Sequence, residues 1–144
     1  MTVFLDTNVI VAACVAEHEH HSRALPWVQS VHSKDSQGFV SAHGIIEVYA
    51  ILTRLPRSPR ILPSQAATLI DENIVHHFSV VALTSREYGE MVLKAGRSGI
   101  VGGQSYDALH LQCAEKSGAD RIFTFNVRHF TNLAPHLAPR IAAP

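Results

Sequence analysis

The chain has 144 residues, of which 47% are apolar and 17% are charged, and its formal net charge is zero. This composition excludes a disordered chain and argues against a protein that coats nucleic acid through overall positive charge. The longest apolar run, Val9–Ala16, is far shorter than the roughly 20 residues that span a bilayer. The chain starts without the basic segment of a signal peptide, and Cys14 and Cys113 lie in apolar stretches, as thiols do in a reducing compartment. We therefore expect one cytoplasmic domain over residues 1–144, with no membrane partner.

In the first half of the chain, short apolar runs alternate with helical patterns. Val3–Leu5 is too short for a helix and suits a buried strand, after which Asp6 offers a helix cap. A helix should end before Pro56, because a residue that precedes proline disfavours the helical conformation. The predicted elements are a strand over Val3–Leu5, a helix over Val9–Val15, a helix from about His20 to Ser33, a strand over Gly38–Ser41 and a helix that includes Ile45–Leu52.

The second half of the chain continues the alternation. The predicted elements are a helix from Ser64 to about His76, a strand over Phe78–Leu83, a helix over Ser85–Gly96, a helix from Tyr106 to about Lys116 that Ser105 caps, a strand over Ile122–Phe125 and a short edge strand around Arg140–Ala142. Strands that alternate with helices predict an α/β fold, a three-layer sandwich with a four- to five-stranded, mainly parallel sheet. Right-handed crossovers then place helices on both faces of that sheet.

Four polar residues follow the predicted strands at the carboxyl edge of the sheet, where open α/β sheets bind ligands. They are Asp6 after the first strand, Glu47 in the helix after the second, Asp107 in the first turn of the helix that Ser105 caps, and Asn126 after the fourth. Three carboxylates packed together would repel one another unless a cation or a proton intervened. Hard oxygen ligands suit Mg²⁺ or Mn²⁺, which can generate hydroxide and stabilise charge on a phosphodiester.

Each acid also has a purely structural interpretation. Asp6 could cap the following helix, and Asp107 could interact with a helix dipole. Glu47 lies among apolar neighbours, where a charge is costly unless it is paired or bound to a metal. Asp120 is expected outside the site because it precedes the fourth strand, and His110 is expected mainly to pack between helices.

The remaining histidines and aromatic residues give weaker signals. The chain has ten histidines, but no cysteine or histidine pair has the spacing of a zinc finger. Most histidines are therefore predicted to lie at the surface or at helix ends. Tyr49, Met91 and the aromatic residues at helical spacing are predicted to belong to the core.

Four segments, in order, give the chain a resemblance to the PIN-domain family and, more narrowly, to VapC-like toxins. They are Phe4–Val9, with its hydrophobic-Asp-Thr-Asn pattern; Ile46–Val48, followed by Leu52–Pro56; Tyr106–His110; and Phe123–Phe130. The resemblance spans residues 3 to 130. It implies a four- to five-stranded parallel sheet, Mg²⁺ or Mn²⁺ at an acidic pocket, and cleavage of single-stranded-type RNA. It also implies a homodimer and inhibition by a small antitoxin whose tail enters the site.

By the same resemblance, roles fall on particular residues of this chain. Asp6, Glu47 and Asp107 would ligate the metal and position the attacking water. Thr7, Asn8 and Thr124 would be supporting polar groups. Asn126 departs from the pattern, since many members have a fourth acid there and an amide brings no charge. Catalysis with one metal ion is therefore the expectation.

The contacts with RNA are less readable from the sequence. Arg54, Arg57 and Arg60 form a basic stretch that could grip phosphates, and Arg128 and His129 follow Asn126. A solvated loop explains the arginine stretch equally well. No interleaving of aromatic and basic residues indicates which base is stacked.

Two rival functions remain open from the sequence. A phosphatase with Asp6 as nucleophile would usually need a second carboxylate where the chain has Asn8, and a lysine in the later motif. A degenerate PIN module that binds RNA or a protein partner without cutting is favoured only by Asn126. Metal-independent RNA binding, unaffected by Asp6→Asn, would indicate that module.

Overall fold

The computed structural model describes residues 1–144 and contains one sheet of five strands. The strands are β1 (Thr2–Leu5), β2 (Gln37–Ser41), β3 (Ser79–Val81), β4 (Arg121–Phe123) and β5 (Ile141–Ala142). Their order is β3-β2-β1-β4-β5, and each neighbouring pair is parallel. The central position of β1 brings the end of β2 and the end of β4 beside its own carboxyl end.

Seven α-helices connect and cover the strands. They are α1 (Thr7–Cys14), α2 (His21–His32), α3 (Ala42–Arg54), α4 (Pro63–Ile70), α5 (Ser85–Ser98), α6 (Gln104–Ser117) and α7 (Val127–Leu133). A π-helical turn over Asp71–Val75 extends α4, and a 3-10 helix over Pro135–Arg140 precedes β5. No helix is both long and apolar enough to cross a membrane.

The hydrophobic core has two parts, one on each face of the sheet. Val3 and Leu5 of β1 belong to the larger part, which includes buried residues of α1 to α4. Phe4 points the other way, into the smaller part formed with α6, α7 and β5. Successive strand side chains point to opposite faces, so a strand buried on both sides reads as a continuous apolar run. The three-layer α/β sandwich predicted from the sequence is confirmed.

Several local predictions are wrong, and most concern places where the chain changes direction. The fourth strand ends at Phe123 rather than Phe125, because the chain turns there to begin α7, a helix that the pattern did not indicate. The predicted cap at Ser105 is absent: α6 begins at Gln104, and the Ser105 hydroxyl donates to the Gly102 carbonyl at 2.7 Å. The helix from Ser64 becomes π-helical at Asp71.

The predicted aromatic core positions also need correction. Tyr49 is 37% exposed and Tyr88 is 42% exposed, so neither is a core residue. Met91 is half-buried and packs against the smaller core. The helix α5 contains no buried residue, although its apolar side chains recur at helical spacing. Helical periodicity therefore identified an apolar face that the chain covers only in part, at Met91.

Candidate active site

Asp6 is the first residue after β1, and the fold buries its carboxylate almost completely. The extended backbone of Asp6 places its side chain at the start of α1, where it accepts from the Thr7 amide at 2.8 Å. Its other oxygen accepts from the Thr124 hydroxyl at 2.8 Å, and the residue is only 4% exposed. The capping role considered for Asp6 is therefore real, but the cap uses only one of its two carboxylate oxygens.

The burial of Asp6 changes its acidity. The pKa of this carboxyl is raised from 3.8 to about 6, with burial as the main cause and the nearby charge of Asp107 acting in the same direction. The charge of His110 and the hydrogen bonds from Thr124 and Thr7 act in the opposite direction but do not cancel the effect of burial. Asp6 thus contains a desolvated carboxylate whose hydrogen bonds all come from neutral groups.

Glu47 lies on α3 and is held by three side chains. One carboxylate oxygen accepts from the Thr7 hydroxyl at 2.9 Å and from Nε2 of His110 at 3.0 Å. The other oxygen lies 3.0 Å from Nε2 of His43, one helical turn earlier on α3. Burial raises the pKa of Glu47, but the hydrogen bonds and charges of these partners outweigh it, so the pKa lies below its usual value. Glu47 is therefore ionised and fixed in place.

His110 connects α6 to the end of β2. It is 2% exposed, with Nδ1 2.7 Å from the Ser41 hydroxyl oxygen and Nε2 on Glu47. Burial lowers the pKa of His110, but the hydrogen bond to Glu47 and the charges of Asp6, Glu47 and Asp107 more than compensate and raise it. His110 is buried, as expected of a residue that packs between helices, but its two ring nitrogens also contact Ser41 and Glu47 at the site.

The close packing around His110 depends on Gly44 in the first turn of α3. The Gly44 amide donates to the Ser41 hydroxyl at 2.8 Å, which caps the helix. A Cβ on Gly44 would lie 2.8 Å from that same oxygen and 3.3 Å from the Thr7 hydroxyl. Only a residue without a side chain lets β2, α1 and α6 approach this closely.

Asp107 occupies the first turn of α6, as predicted, and is partly exposed. Its carboxylate lies 2.9 Å from Nε2 of His129, which belongs to α7. The charge of Asp107 acts on both Asp6 and His110, so the three groups share one electrostatic environment. His129 was considered only for RNA contact, and its ion pair with Asp107 could not be read from the sequence.

The remaining polar residues predicted at the site divide into two groups. The Asn8 carbonyl oxygen accepts from the Phe125 amide at 3.2 Å, and its amide lies 3.4 Å from the Thr124 hydroxyl oxygen. Thr124, not Asn126, is the residue directly after β4. Asn126 is exposed and reaches the site only through its backbone amide, which donates to the Thr124 hydroxyl at 3.0 Å. The prediction that Asn126 directly follows the strand is therefore wrong.

The structure separates the arginines that were considered for RNA binding. Arg54 is exposed at the far end of α3, about 10 Å along the helix from Glu47. Arg57 is paired with Glu17 at 2.9 Å, and Arg60 is exposed in the following loop. Arg128 is exposed in the first turn of α7, beside His129. Of these arginines, only Arg128 is next in sequence to a residue that contacts one of the acids.

Sequence reasoning missed His43, and a signal for it existed. His43 precedes Glu47 by four residues on one helix, and residues at that spacing share a helix face. Ser41 was predicted only as the end of the second strand, yet its hydroxyl also contacts His110. Three histidines, His43, His110 and His129, thus contact Glu47 and Asp107 through Nε2, and none of them hydrogen-bonds to Asp6.

The arrangement limits how an ion could be held. No group of three or more His, Cys, Asp or Glu side chains forms a cluster that could hold a metal ion by itself. A carboxylate has about four lone-pair sites. Asp6 uses two of them in hydrogen bonds to neutral donors, Asp107 is contacted by one histidine, and Glu47 is contacted by three donors. Asp6 and Asp107 therefore keep the largest free coordinating capacity, which suits an ion that takes only one or two carboxylates.

The PIN domain family matches residues 3–134 of this chain. Ribonuclease VapC40 of Mycobacterium tuberculosis is 30% identical over 124 residues, which make up 85% of this chain and 85% of that protein. The crystal structure of VapC20 of M. tuberculosis, a toxin that cleaves the sarcin–ricin loop, covers 90% of this chain and 94% of its own with a TM-score of 0.68 at 17% identity. The VapBC2 structure from Rickettsia felis, bound to a promoter DNA fragment, covers 100% of this chain and 99% of its own with a TM-score of 0.65 at 16% identity.

The two structural likenesses establish the fold, and the sequence matches establish the kinship. Both sequence matches include the segments that carry most of the acidic site. Since the family match covers nearly the whole chain and the VapC40 likeness covers 85% of it, this chain belongs to the PIN domain family and, within it, to the VapC ribonucleases.

Proposed function

We propose that this protein is a Mg²⁺- or Mn²⁺-dependent endoribonuclease that hydrolyses phosphodiester bonds of RNA as the toxin of a toxin–antitoxin pair. The observation that carries the proposal is the buried Asp6 carboxylate, whose pKa is raised to about 6 by burial and which has no cationic hydrogen-bond partner in the chain. A divalent cation would stabilise its ionised form and offset the loss of hydration that burial causes.

We assign Asp6, Asp107 and Glu47 to the metal centre, with Asp6 and Asp107 as the ligands of greatest free capacity. The donor set fits, because Mg²⁺ prefers carboxylate oxygens and keeps several waters. The ion, when bound, would activate a water and stabilise the charge that develops on the phosphodiester. Thr7 and His110 hold the Glu47 carboxylate in place, and one of its lone-pair sites stays free of protein donors. Through that free site Glu47 would orient the attacking water.

The other polar residues of the site act on these carboxylates. Thr124 donates to Asp6, and Asn8 holds the turn that follows Thr124. Arg128, exposed next to His129, is the residue that we assign to the RNA backbone, where a guanidinium can pair with phosphate oxygens. Arg54 and Arg57 would contact only a longer RNA that extends along α3. Asn126 adds no charge, which supports the use of one metal ion.

The test is cleavage of a mixed, structured RNA pool by the wild type and by Asp107→Asn, with and without Mg²⁺ or Mn²⁺. We expect metal-dependent cleavage by the wild type and at least about a 100-fold lower rate in the variant, since the loss of a residue that merely orients a metal ligand can already cost 10- to 100-fold. Equal cleavage by both proteins would remove Asp107 from the site. RNA binding without cleavage by either protein would instead indicate a non-catalytic module.

A matched control is available at the other end of the sheet. Asp120 accepts from the Thr2 amide and hydroxyl, both at 2.8 Å, on the amino side of β1. Asp120→Asn removes a carboxylate of the same size from the same protein. Its cleavage rate should stay within about twofold of wild type, because surface changes remote from a site have small effects.

We also propose that the cognate antitoxin binds the groove between α3 and α4. Exposed apolar residues line this groove on α3, including Ile46 (65% exposed) and Tyr49, and they continue along α4 to Val75. Ile46 is next to Glu47 in the sequence, so a bound segment could continue into the acidic site. The likeness to VapBC2 from Rickettsia felis, bound to a DNA fragment from their promoter, supports a partner of this type.

A homodimer is the second assembly that we propose, formed through α5. This helix has no buried residue, and Val92 and Leu93 are 65% and 64% exposed. Large exposed apolar patches on a protein usually mark an interface. Val92→Glu should convert the dimer to a monomer in size-exclusion chromatography with light scattering.

The two surfaces can be tested against each other. Ile46→Glu should abolish inhibition by the antitoxin and leave the dimer intact, whereas Val92→Glu should do the reverse. If both variants lose inhibition, the antitoxin needs the dimer, and the two surfaces are not independent.

We propose that the protein acts in the cytoplasm, in line with its two cysteines, which remain free thiols. We also propose that residues 1–144 form one domain.

A further inference from the structure

Tyr106 is an aromatic residue that the fold leaves exposed beside the acidic site. It immediately precedes Asp107 in the first turn of α6, and it is 53% exposed. A large aromatic ring normally contributes strongly to a core, so its exposure at this position needs a reason. It belongs to neither part of the hydrophobic core.

The ring of Tyr106 is nevertheless ordered by one partner. It lies parallel to the imidazole of His43, with ring centroids 5.1 Å apart and an interplanar angle of 5°. His43 is in turn fixed by Glu47, with Nε2 3.0 Å from the carboxylate oxygen. The Tyr106–His43 ring pair therefore connects the helix of Asp107 with the helix of Glu47, directly at the acids.

We infer that the Tyr106–His43 ring pair is a stacking platform for an unpaired RNA base next to the scissile phosphate, and this inference rests on the ribonuclease function proposed above. The imidazole stacks beside the tyrosine ring, and Tyr106 stays 53% exposed, which leaves ring surface accessible to a base. A base can extend the stack because every nucleobase has a π-face. The platform requires no new order on binding, since both rings are already held by their helices.

The platform explains how a chain with zero net charge engages RNA. Without a general basic surface, binding energy must come from local contacts near the site. Stacking on an aromatic ring needs a base that is not inside a duplex. The ring pair thus selects single-stranded or looped RNA, and it tolerates different bases at that position because it reads only a planar face.

The experiment uses a short single-stranded RNA that contains a cleavage site mapped with the wild-type protein. The RNA is made in a normal form and in forms that lack the base on either side of the scissile bond. Steady-state kinetics are measured for wild type, Tyr106→Leu, Tyr106→Phe and the control Tyr88→Leu, which alters an exposed tyrosine on α5. Circular dichroism verifies that each variant is folded.

We expect Tyr106→Leu to raise KM roughly tenfold, the effect of losing one stacked base, while kcat changes by less than about threefold. Tyr106→Phe should recover most of that loss because it restores the ring. On one of the RNAs that lack a base, wild type and Tyr106→Leu should have the same KM. In addition, 2-aminopurine can replace the base whose removal makes the two proteins equal. With Ca²⁺ as the divalent ion, its fluorescence should fall when the RNA binds the wild type and should not fall when it binds Tyr106→Leu.

Three results would overturn the inference. An unchanged KM in Tyr106→Leu would show that the ring contacts no base. A fall in kcat alone, equal on all RNAs, would show that Tyr106 only supports Asp107. If wild type cleaves no RNA from the pool, the proposed function and this inference fail together, whereas metal-dependent cleavage with an unchanged KM removes the platform alone.

Discussion

Asp6 and Asp120 lie at opposite ends of the same sheet, and each accepts hydrogen bonds from a threonine amide and a threonine hydroxyl. The distances are all 2.8 Å. Their acidities nevertheless change in opposite directions. Burial raises the pKa of Asp6 to about 6. The hydrogen bonds from Thr2 lower the pKa of Asp120, which is exposed.

The comparison shows that hydrogen bonding alone does not make a carboxylate reactive. Similar donors stabilise the charge in both places, but only at the carboxyl end of β1 does the fold remove water from around the carboxylate. The other acids at that end have histidine partners, so Asp6 is left as the group that most needs a cation. Asp120, at the amino end of the sheet, is an acid of the same type, but because it is exposed it has no comparable need for a cation.

The largest expected difference concerns catalysis. Asp6→Asn should lower the rate of metal-dependent RNA cleavage by about 100- to 1000-fold, because it removes charge from the metal centre and a preorganised electrostatic group. Asp120→Asn is the control and should remain within about twofold of wild type. If the two variants lose activity equally, the amino end of the sheet participates in function and the comparison fails.

The next effect is a dependence of stability on pH, measured by denaturant unfolding in EDTA. A pKa raised above its unfolded value makes the wild type lose stability as pH increases from about 4 to 6. The change in the pKa of Asp6 from 3.8 to about 6 corresponds to a loss of about 3 kcal/mol in the free energy of unfolding, measured relative to Asp6→Asn. Adding Mg²⁺ should reduce this slope, since the ion favours the carboxylate.

The comparison of wild type with Asp120→Asn should give a pH dependence of stability with the opposite sign. A lowered pKa contributes stability above its unfolded value, and that contribution disappears as pH falls below about 4. Wild type should therefore lose stability relative to Asp120→Asn only in acid. Slopes of the same sign for the two aspartates would show that burial does not distinguish them.

A third prediction concerns His110, which keeps Glu47 in place. His110→Gln should lower the cleavage rate about 10- to 100-fold, the usual cost of losing a residue that orients a metal-site acid. It should also lower the free energy of unfolding by about 1–3 kcal/mol, because Ser41 and Glu47 lose a partner in a buried region. His136 makes a contact of the same kind with Glu115 at 3.0 Å, but it is exposed.

His136→Gln is accordingly the matched control for His110→Gln. It should change the free energy of unfolding by less than about 0.5 kcal/mol, since exposed ion pairs contribute little. A large effect of His136→Gln, or a small effect of His110→Gln, would show that burial does not determine the value of a histidine–glutamate contact in this protein.

The last comparison concerns the effects of two glycines on stability. Gly44→Ala places a methyl group against the Ser41 hydroxyl and should cost about 1–3 kcal/mol as well as activity. Gly96→Ala lies in α5, where a Cβ meets no atom within 4 Å, and should stabilise the protein by about 0.5–1 kcal/mol. Thermal unfolding of both variants distinguishes the crowded carboxyl end of β1 from the open helix.

The sequence predicted most of the fold because its signals are local. The apolar run at Val3–Leu5 identified the central strand, and the spacing of strands and helices identified the parallel sheet. Helix starts were less reliable: α6 lacks a capping side chain, so the residues around Ser105 gave a misleading signal. The helix α7 was missed because the loop-like sequence after β4 is stabilised by contacts with the rest of the chain.

Only part of the candidate site could be predicted from the sequence, because the signals in the sequence are local. Asp6, Glu47 and Asp107 could be placed on one edge from the order of the strands, since parallel strands bring their carboxyl ends together. His43 was also within reach, at four residues from Glu47 on one helix face. His110 and His129 were not, because nothing in their local sequence indicates which carboxylate they contact.

By itself, the sequence determined the α/β alternation and the parallel sheet, because these depend on residues close together in the chain. The order of the strands then placed the three acids at the carboxyl edge of the sheet. Only the tertiary structure decided that Asp6 is dehydrated, that Glu47 and Asp107 are paired with histidines, and that Tyr106 is left exposed. Those outcomes depend on contacts between residues far apart in sequence, such as the 63 positions between Glu47 and His110 and the 118 between Asp6 and Thr124. The reason is physical: the free energy of a charge depends on which groups and how much water surround it, and the folded chain alone fixes both.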